Sequence, residues 1–239
     1  MSMYGVPGVA LVQEGMGQIP PVPFQTPQNI FRFGEQTLWS TLFLTGGSIV
    51  ANSTNRIFST PVGQVGQGFT AALSIAETNL KEGGRVPAGV AYDVFGIASE
   101  LVSDSQANDV ANNVLGTLAT ATSSVALISD ALNVQHNGVL SWDFTQTTVD
   151  ICPVILAGAG GGLFGALAST LNNVNVGHMN NGNGHIWMYR KHPVALPGNS
   201  TFSIVVRFGS RAATISNGNG LSVRVTLLGY YKNVIEIGN

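Results

Sequence analysis

The chain has 239 residues, which suits one large β domain or two small ones and allows a sizeable buried core. Only 9% of the residues are charged, against about 25% in an ordinary globular protein. With a net charge of −2, the total offers no basis for predicting nucleic-acid or membrane binding, and so little charge implies a surface of neutral polar groups or one covered by partners.

Residues 1–29 carry Gly5, Pro7, Gly8, Gly15, Gly17, Pro20, Pro21, Pro23 and Pro27, which break any periodicity. Pro20-Pro21-Val22-Pro23 favours an extended polyproline conformation, and recurring Met, Val and Leu make the stretch less polar than an ordinary disordered tail. This predicts an extended arm ordered by contact with its own subunit or a neighbour. No basic stretch followed by an apolar one opens the chain, so no secretory signal is expected.

Strand patterns follow at Ile30–Phe33, Thr37–Leu44 and Ser48–Val50, with Gly46-Gly47 as a turn, and again at Arg56–Pro61. Phe69–Ile75 reads as strand or short helix. A polar connection over Thr78–Pro87 leads into a strand at Val90–Leu101, where Gly96 marks a bulge. One helical insertion is expected around residues 104–133, from Val110, Val114, Leu115 and Leu118, then Val125, Ile128 and Leu132; Gly116 and residues 120–124 predict a break into two helices. Strand patterns resume at Val139–Phe144 and Thr147–Leu156.

Ile151–Leu171 carries no charge, which meets the crude length and polarity criterion for a membrane span, and Gly158–Ala168 is similar to the glycine-rich fusion peptides of enveloped viruses. Pro153 and the glycine run break a spanning helix, and no basic flank anchors one, so a buried strand, a Gly-rich turn and a short core helix are expected instead. A long polar loop runs from Leu171 to Gly184. The last stretch alternates most cleanly: Ile186–Arg190, Thr201–Phe208 and Leu221–Tyr231 are separated by Pro197-Gly198-Asn199 and Asn217-Gly218-Asn219-Gly220. Leu221, Val223, Val225 and Leu227 share one face of the last strand, with Ser222, Arg224 and Thr226 on the other.

Charge is unevenly distributed. Val86–Gly184 holds Asp93, Glu100, Asp104, Asp109, Asp130, Asp143 and Asp150 without a Lys or Arg, while His185–Asn239 holds Arg190, Lys191, Arg207, Arg211, Arg224 and Lys232 with Glu236 as its acid. The two halves either face each other within one domain or meet between copies. Cys152 is the single cysteine, so no intrachain disulfide forms, and its apolar surroundings predict a small buried hydrophobe.

No specific catalytic constellation is present: no Gly-x-Ser-x-Gly elbow, no phosphate-binding loop, no His-Glu-x-x-His and no paired cysteines. His178, His185 and His192 recur every seven residues near Asp143 and Asp150, but in strands that spacing alternates faces and argues against a shared metal. Gly158-x-Gly160-x-Gly162 lacks the context of a dinucleotide site. Glu77 with Glu82, or Asp104 with Asp109, read as solvated surface acids. Arg207, Arg211 and Arg224 on adjacent strands are phosphate candidates without aromatic interleaving. Trp39, Trp142 and Trp187 read as core or interface anchors, with a sugar platform as the alternative. No catalytic, cofactor-binding or metal residue is therefore assigned, and no cofactor or small-molecule substrate is expected.

His192-Pro-Val-Ala-Leu-Pro-Gly-Asn-Ser-Thr-Phe-Ser-Ile-Val-Val206 and Leu221-Ser-Val-Arg-Val-Thr-Leu-Leu-Gly-Tyr-Tyr-Lys-Asn-Val-Ile-Glu236, with the turn and strand of Glu77–Ile97, resemble segments of jelly-roll capsid proteins of tailless icosahedral bacterial and archaeal viruses. About a third of the chain carries this likeness, in strand and turn patterns. The resemblance implies an eight-stranded antiparallel sandwich that tiles an icosahedral shell, and no catalytic residues. The expectation is a mainly β chain with an arm at 1–29 and a jelly-roll domain at 30–239, a single jelly roll being preferred to a double one, which needs about sixteen strands. The expected role is a non-enzymatic capsid subunit in the virion, assembled in the host cytoplasm. Its expected partners are copies of itself and other capsid proteins, with non-specific contact to genome or inner membrane left open. The alternative is a carbohydrate-binding jelly-roll module or adhesin.

Overall fold

A computed structural model describes residues 29–103, 121–145, 147–159, 184–189, 191–216 and 220–236. The predicted arm, apart from Asn29, lies outside these residues. So do positions 104–120 of the predicted helical region, the glycine-rich run from Gly160, most of the polar loop that follows it, His178, Arg190 and Asn217–Asn219.

The described chain runs β1 (Asn29–Leu44), β2 (Thr54–Ile57), β3 (Val90–Ser103), α1 (Ala121–Asn137), β4 (Gly138–Phe144), β5 (Thr147–Pro153), a 3-10 turn (Val154–Ala157), β6 (Trp187–Met188), β7 (Val194–Leu196), β8 (Phe202–Phe208) and β9 (Leu221–Glu236). The strands form two antiparallel sheets in a sandwich-like arrangement. The larger has the order β1-β9-β3-β6, with β7 also paired to β3; the smaller has the order β2-β8-β4-β5. Four sequence-nested pairings result: β1 with β9, β2 with β8, β3 with β6 and β7, and β4 with β5. Two further pairings, β9–β3 and β8–β4, close the sheets.

The two inner faces build one core. Leu221, Val223, Val225 and Leu227 of β9 are buried together with Phe202, Ile204, Val206 and Phe208 of β8 and Leu140 and Trp142 of β4. Each such side chain withdrawn from water contributes roughly 1.5–3 kcal/mol, so this alternation is what holds the layers together. Helix α1 closes one end through Ala131 and Val134. It is fixed to the β8–β9 connection by Asp130, which accepts from Ser216 N (2.9 Å) and Oγ (2.8 Å), and by Asn133, which accepts from Ala213 N (3.1 Å) and donates to its carbonyl (3.3 Å).

The structure corrects several sequence expectations. Ile30–Phe33 and Thr37–Leu44 are one strand, because β9 pairs with it continuously from Asn29 to Leu44. Ser48–Val50 is not a strand; Ile49 makes a single bridge to Thr214 in a turn where Gly47 takes φ +79°. Phe69–Ile75 is neither strand nor helix but an irregular bend in which Ala72 makes a single antiparallel bridge to Val65. Residues 121–124, expected to break the helix, are helical, and α1 runs on to Asn137 beyond the expected end at 133. The bulge at Gly96 is present, with the β3–β9 register shifting between Val94 and Gly96.

Candidate interaction surface

The sequence-predicted polar residues separate in space. Arg207 lies on the smaller sheet with Asp150 as its ion-pair partner, Arg224 lies on the larger sheet, and Arg211 sits in an exposed turn, so the three do not form one anion site. Asp143 accepts from Arg56 at 2.8 Å. His185 and His192 are exposed, and no group of three metal-ligating side chains occurs among the described residues. Glu77 accepts from Ser74 N at 2.7 Å, whereas Glu82 stands 4.0 Å from Arg85. Cys152 is buried, and burial pushes its thiol up to about 11, which keeps it protonated and unreactive at neutral pH.

The acidic and basic halves of the sequence face each other within the chain. Arg224 pairs with Glu100 (2.8 Å), Lys232 with Asp93 (2.8 Å) and Arg207 with Asp150.

The three tryptophans are engaged. Trp142 is buried and donates through Nε1 to Tyr189 Oη at 2.8 Å, a bond that crosses between the sheets. Burial raises the Tyr189 phenol, against the opposing effect of that bond. Trp187 packs against the core, and Trp39 donates through Nε1 to Ile75 O at 3.0 Å.

That last bond belongs to a clamp. Three consecutive carbonyls of the β2–β3 connection accept from outward side chains of the larger sheet: Ile75 O from Trp39, Ala76 O from Arg224 (2.9 Å) and Glu77 O from Thr41 (2.8 Å). Asn79 then covers the free edge of β1. Its N–H donates to Trp39 O (3.2 Å), its Oδ1 accepts from Trp39 N (2.9 Å), and its Nδ2 donates to Thr37 O (2.8 Å). Satisfying edge groups in this way removes a template for unwanted strand pairing. Phe69 and Leu73 of the same connection pack on Phe43, completing the cover over the lower half of the sheet's outer face.

Among the described residues no segment covers the upper half. The bulge turns Phe95 outward, where its ring meets that of Tyr230 at 5.1 Å. Beside them, Met188 Sδ, Ile186 Cγ2 and Leu228 Cδ1 close over Gly96, and a Cβ built there would meet them at 3.0, 3.1 and 3.3 Å. Glycine at the bulge lets these side chains form a continuous apolar strip. Tyr230 is 46% exposed, Met188 45% and Ile186 39%. Apolar side chains exposed side by side in this way form a candidate contact surface.

No family model, curated protein or solved structure matches the chain. The strip is therefore read from its own chemistry. The charges beside it among the described residues, Asp93 across from Tyr230 and Lys232, neutralise each other in an ion pair at 2.8 Å, and its rings and thioether suit contact with another apolar surface. A cleft beside Ser40, Arg56, Phe58 and Gln67 has a volume of about 10 Å³, room for roughly one water and far below the roughly 300–1,000 Å³ of ordinary small-molecule sites. Sequence reading missed the strip. Its one legible signal was the alternation of Ile186 and Met188 with core-facing Trp187, because the bulge that turns Phe95 outward redirects its neighbours.

Proposed function

We propose that this chain is a structural subunit of a viral shell, folded as a single jelly roll and assembling through contacts with copies of itself. The observation that carries the reading is the nested strand pairing. Strands paired as β1–β9, β2–β8, β3–β6/β7 and β4–β5, then joined through β9–β3 and β8–β4, are what one long hairpin yields when rolled into two facing sheets. The likeness of the closing strands to capsid proteins points the same way. Fold alone does not assign a role, and the exposed apolar strip supplies the second support, since a shell subunit needs faces that are covered only after assembly.

Multi-angle light scattering with negative-stain microscopy on the purified chain tests the proposal. Discrete multimers or closed shells are expected. A monodisperse monomer at high concentration overturns it.

A further inference from the structure

We propose that the strip of Phe95, Leu228, Tyr230, Met188 and Ile186 meets the same strip on a second copy, about a two-fold axis parallel to the strands, with Glu35 of each copy opposite Lys191 of the other. The inference rests on the shell reading and names one of its contacts.

The flanks of the strip carry opposite charge. Glu35 lies on β1, directly across from Tyr230 in the β1–β9 register, so it shares the outer face. Lys191 lies on the opposite flank, in the bend between β6 and β7, both of which pair with β3 on the side away from β9. Both residues are exposed, and neither enters an ion pair among the described residues, where Arg224, Lys232, Arg207, Arg56 and Arg85 pair with Glu100, Asp93, Asp150, Asp143 and Glu82. Face-to-face packing about an axis parallel to the strands lays the β1 flank of one copy on the β6/β7 flank of the other, which makes two Glu35–Lys191 contacts. An in-plane axis across the strands sets Glu35 on Glu35 instead. Charge complementarity therefore selects a second copy as occupant and the first axis as its arrangement.

The strip and its β1 flank together span four strands at ~4.8 Å each and two or three outward positions, on the order of 300 Å² per copy, against the roughly 800 Å² per partner of a stable free-standing interface. It is one contact of a multi-contact assembly.

The test uses the full chain as Glu35→Lys, Lys191→Glu, the double exchange, and an equimolar mixture of the two single variants. The readout is the assembly threshold concentration by light scattering at low salt. Each single variant is expected to raise that threshold about tenfold, while the double exchange and the mixture return it close to the wild-type value. Thermal unfolding checks that folding is unchanged at these exposed positions. Assembly of all variants like the wild type overturns the inference and leaves the shell reading standing, as does loss in the singles without recovery in the double exchange or mixture. A wild-type chain that stays monomeric overturns both. A Glu35→Cys/Lys191→Cys chain gives a second measure. The two positions are three strand spacings apart, roughly 14 Å, within one copy, too far for a disulfide, so oxidation is expected to give covalent multimers, and their absence counts against the contact.

Discussion

Arg224 on β9 holds Glu100 on β3 at 2.8 Å and, through its other terminal nitrogen, the carbonyl of Ala76 at 2.9 Å. One guanidinium thus joins two strands and fastens the β2–β3 connection to the sheet. The ion pair itself is partly exposed and adds little, whereas the charged donor to a backbone carbonyl matters more. Arg224→Ala is expected to cost roughly 1–2 kcal/mol and to open the connection to protease before global unfolding. Urea denaturation with timed proteolysis reads both, and cleavage unchanged from wild type would count against the clamp.

Gly68 and Gly47 separate two reasons for glycine. Both have left-handed φ, +82° and +79°. A Cβ at Gly68 falls 2.2 Å from the carbonyl oxygen of Phe43, while one at Gly47 meets nothing within 4 Å. Gly47→Ala is expected to cost about 1 kcal/mol from φ alone. Gly68→Ala is expected to cost about 3 kcal/mol or more, because strand backbone must move. Equal unfolding midpoints for the two variants would contradict the docking of this turn on β1.

The parts of the fold with a regular period were legible. Leu221–Leu227 gave the core face of β9 directly, and Gly96 gave the bulge. What escaped has local physical causes. β7 is three residues between Pro193 and Pro197 and offers no period. The polar break at Gly34–Gln36 suggested two strands, yet pairing with β9 overrides local composition. The clamp uses backbone carbonyls at Ile75, Ala76 and Glu77, and every residue carries a carbonyl, so no side-chain pattern announces it. The exposed strip depends on which way a bulge turns Phe95, a tertiary outcome.

Trp142 and Tyr189 bridge the sheets by a single hydrogen bond. Tyr189→Phe keeps the ring and leaves a buried indole N–H without its acceptor, with an expected loss of about 1–3 kcal/mol. Tryptophan fluorescence during urea unfolding reads the shift in midpoint, and an unchanged midpoint would show that the bond contributes nothing net.

Tyr92 is buried, and desolvation, with a smaller contribution from Tyr231, pushes its phenol from 10.0 up to about 12. In that interval the folded chain holds a proton that the unfolded chain has released, so this contribution to stability is intact below pH ~10 and declines as pH rises toward ~12. Urea midpoints measured across this range are expected to fall less steeply in Tyr92→Phe than in the wild type. Parallel curves would contradict the assignment.

Self-assembly is the central claim, and sedimentation velocity of the wild-type chain over a wide concentration range tests it most directly. Discrete multimers or shells are expected to grow at the expense of monomer as concentration rises. A single monomeric boundary at every concentration would contradict it.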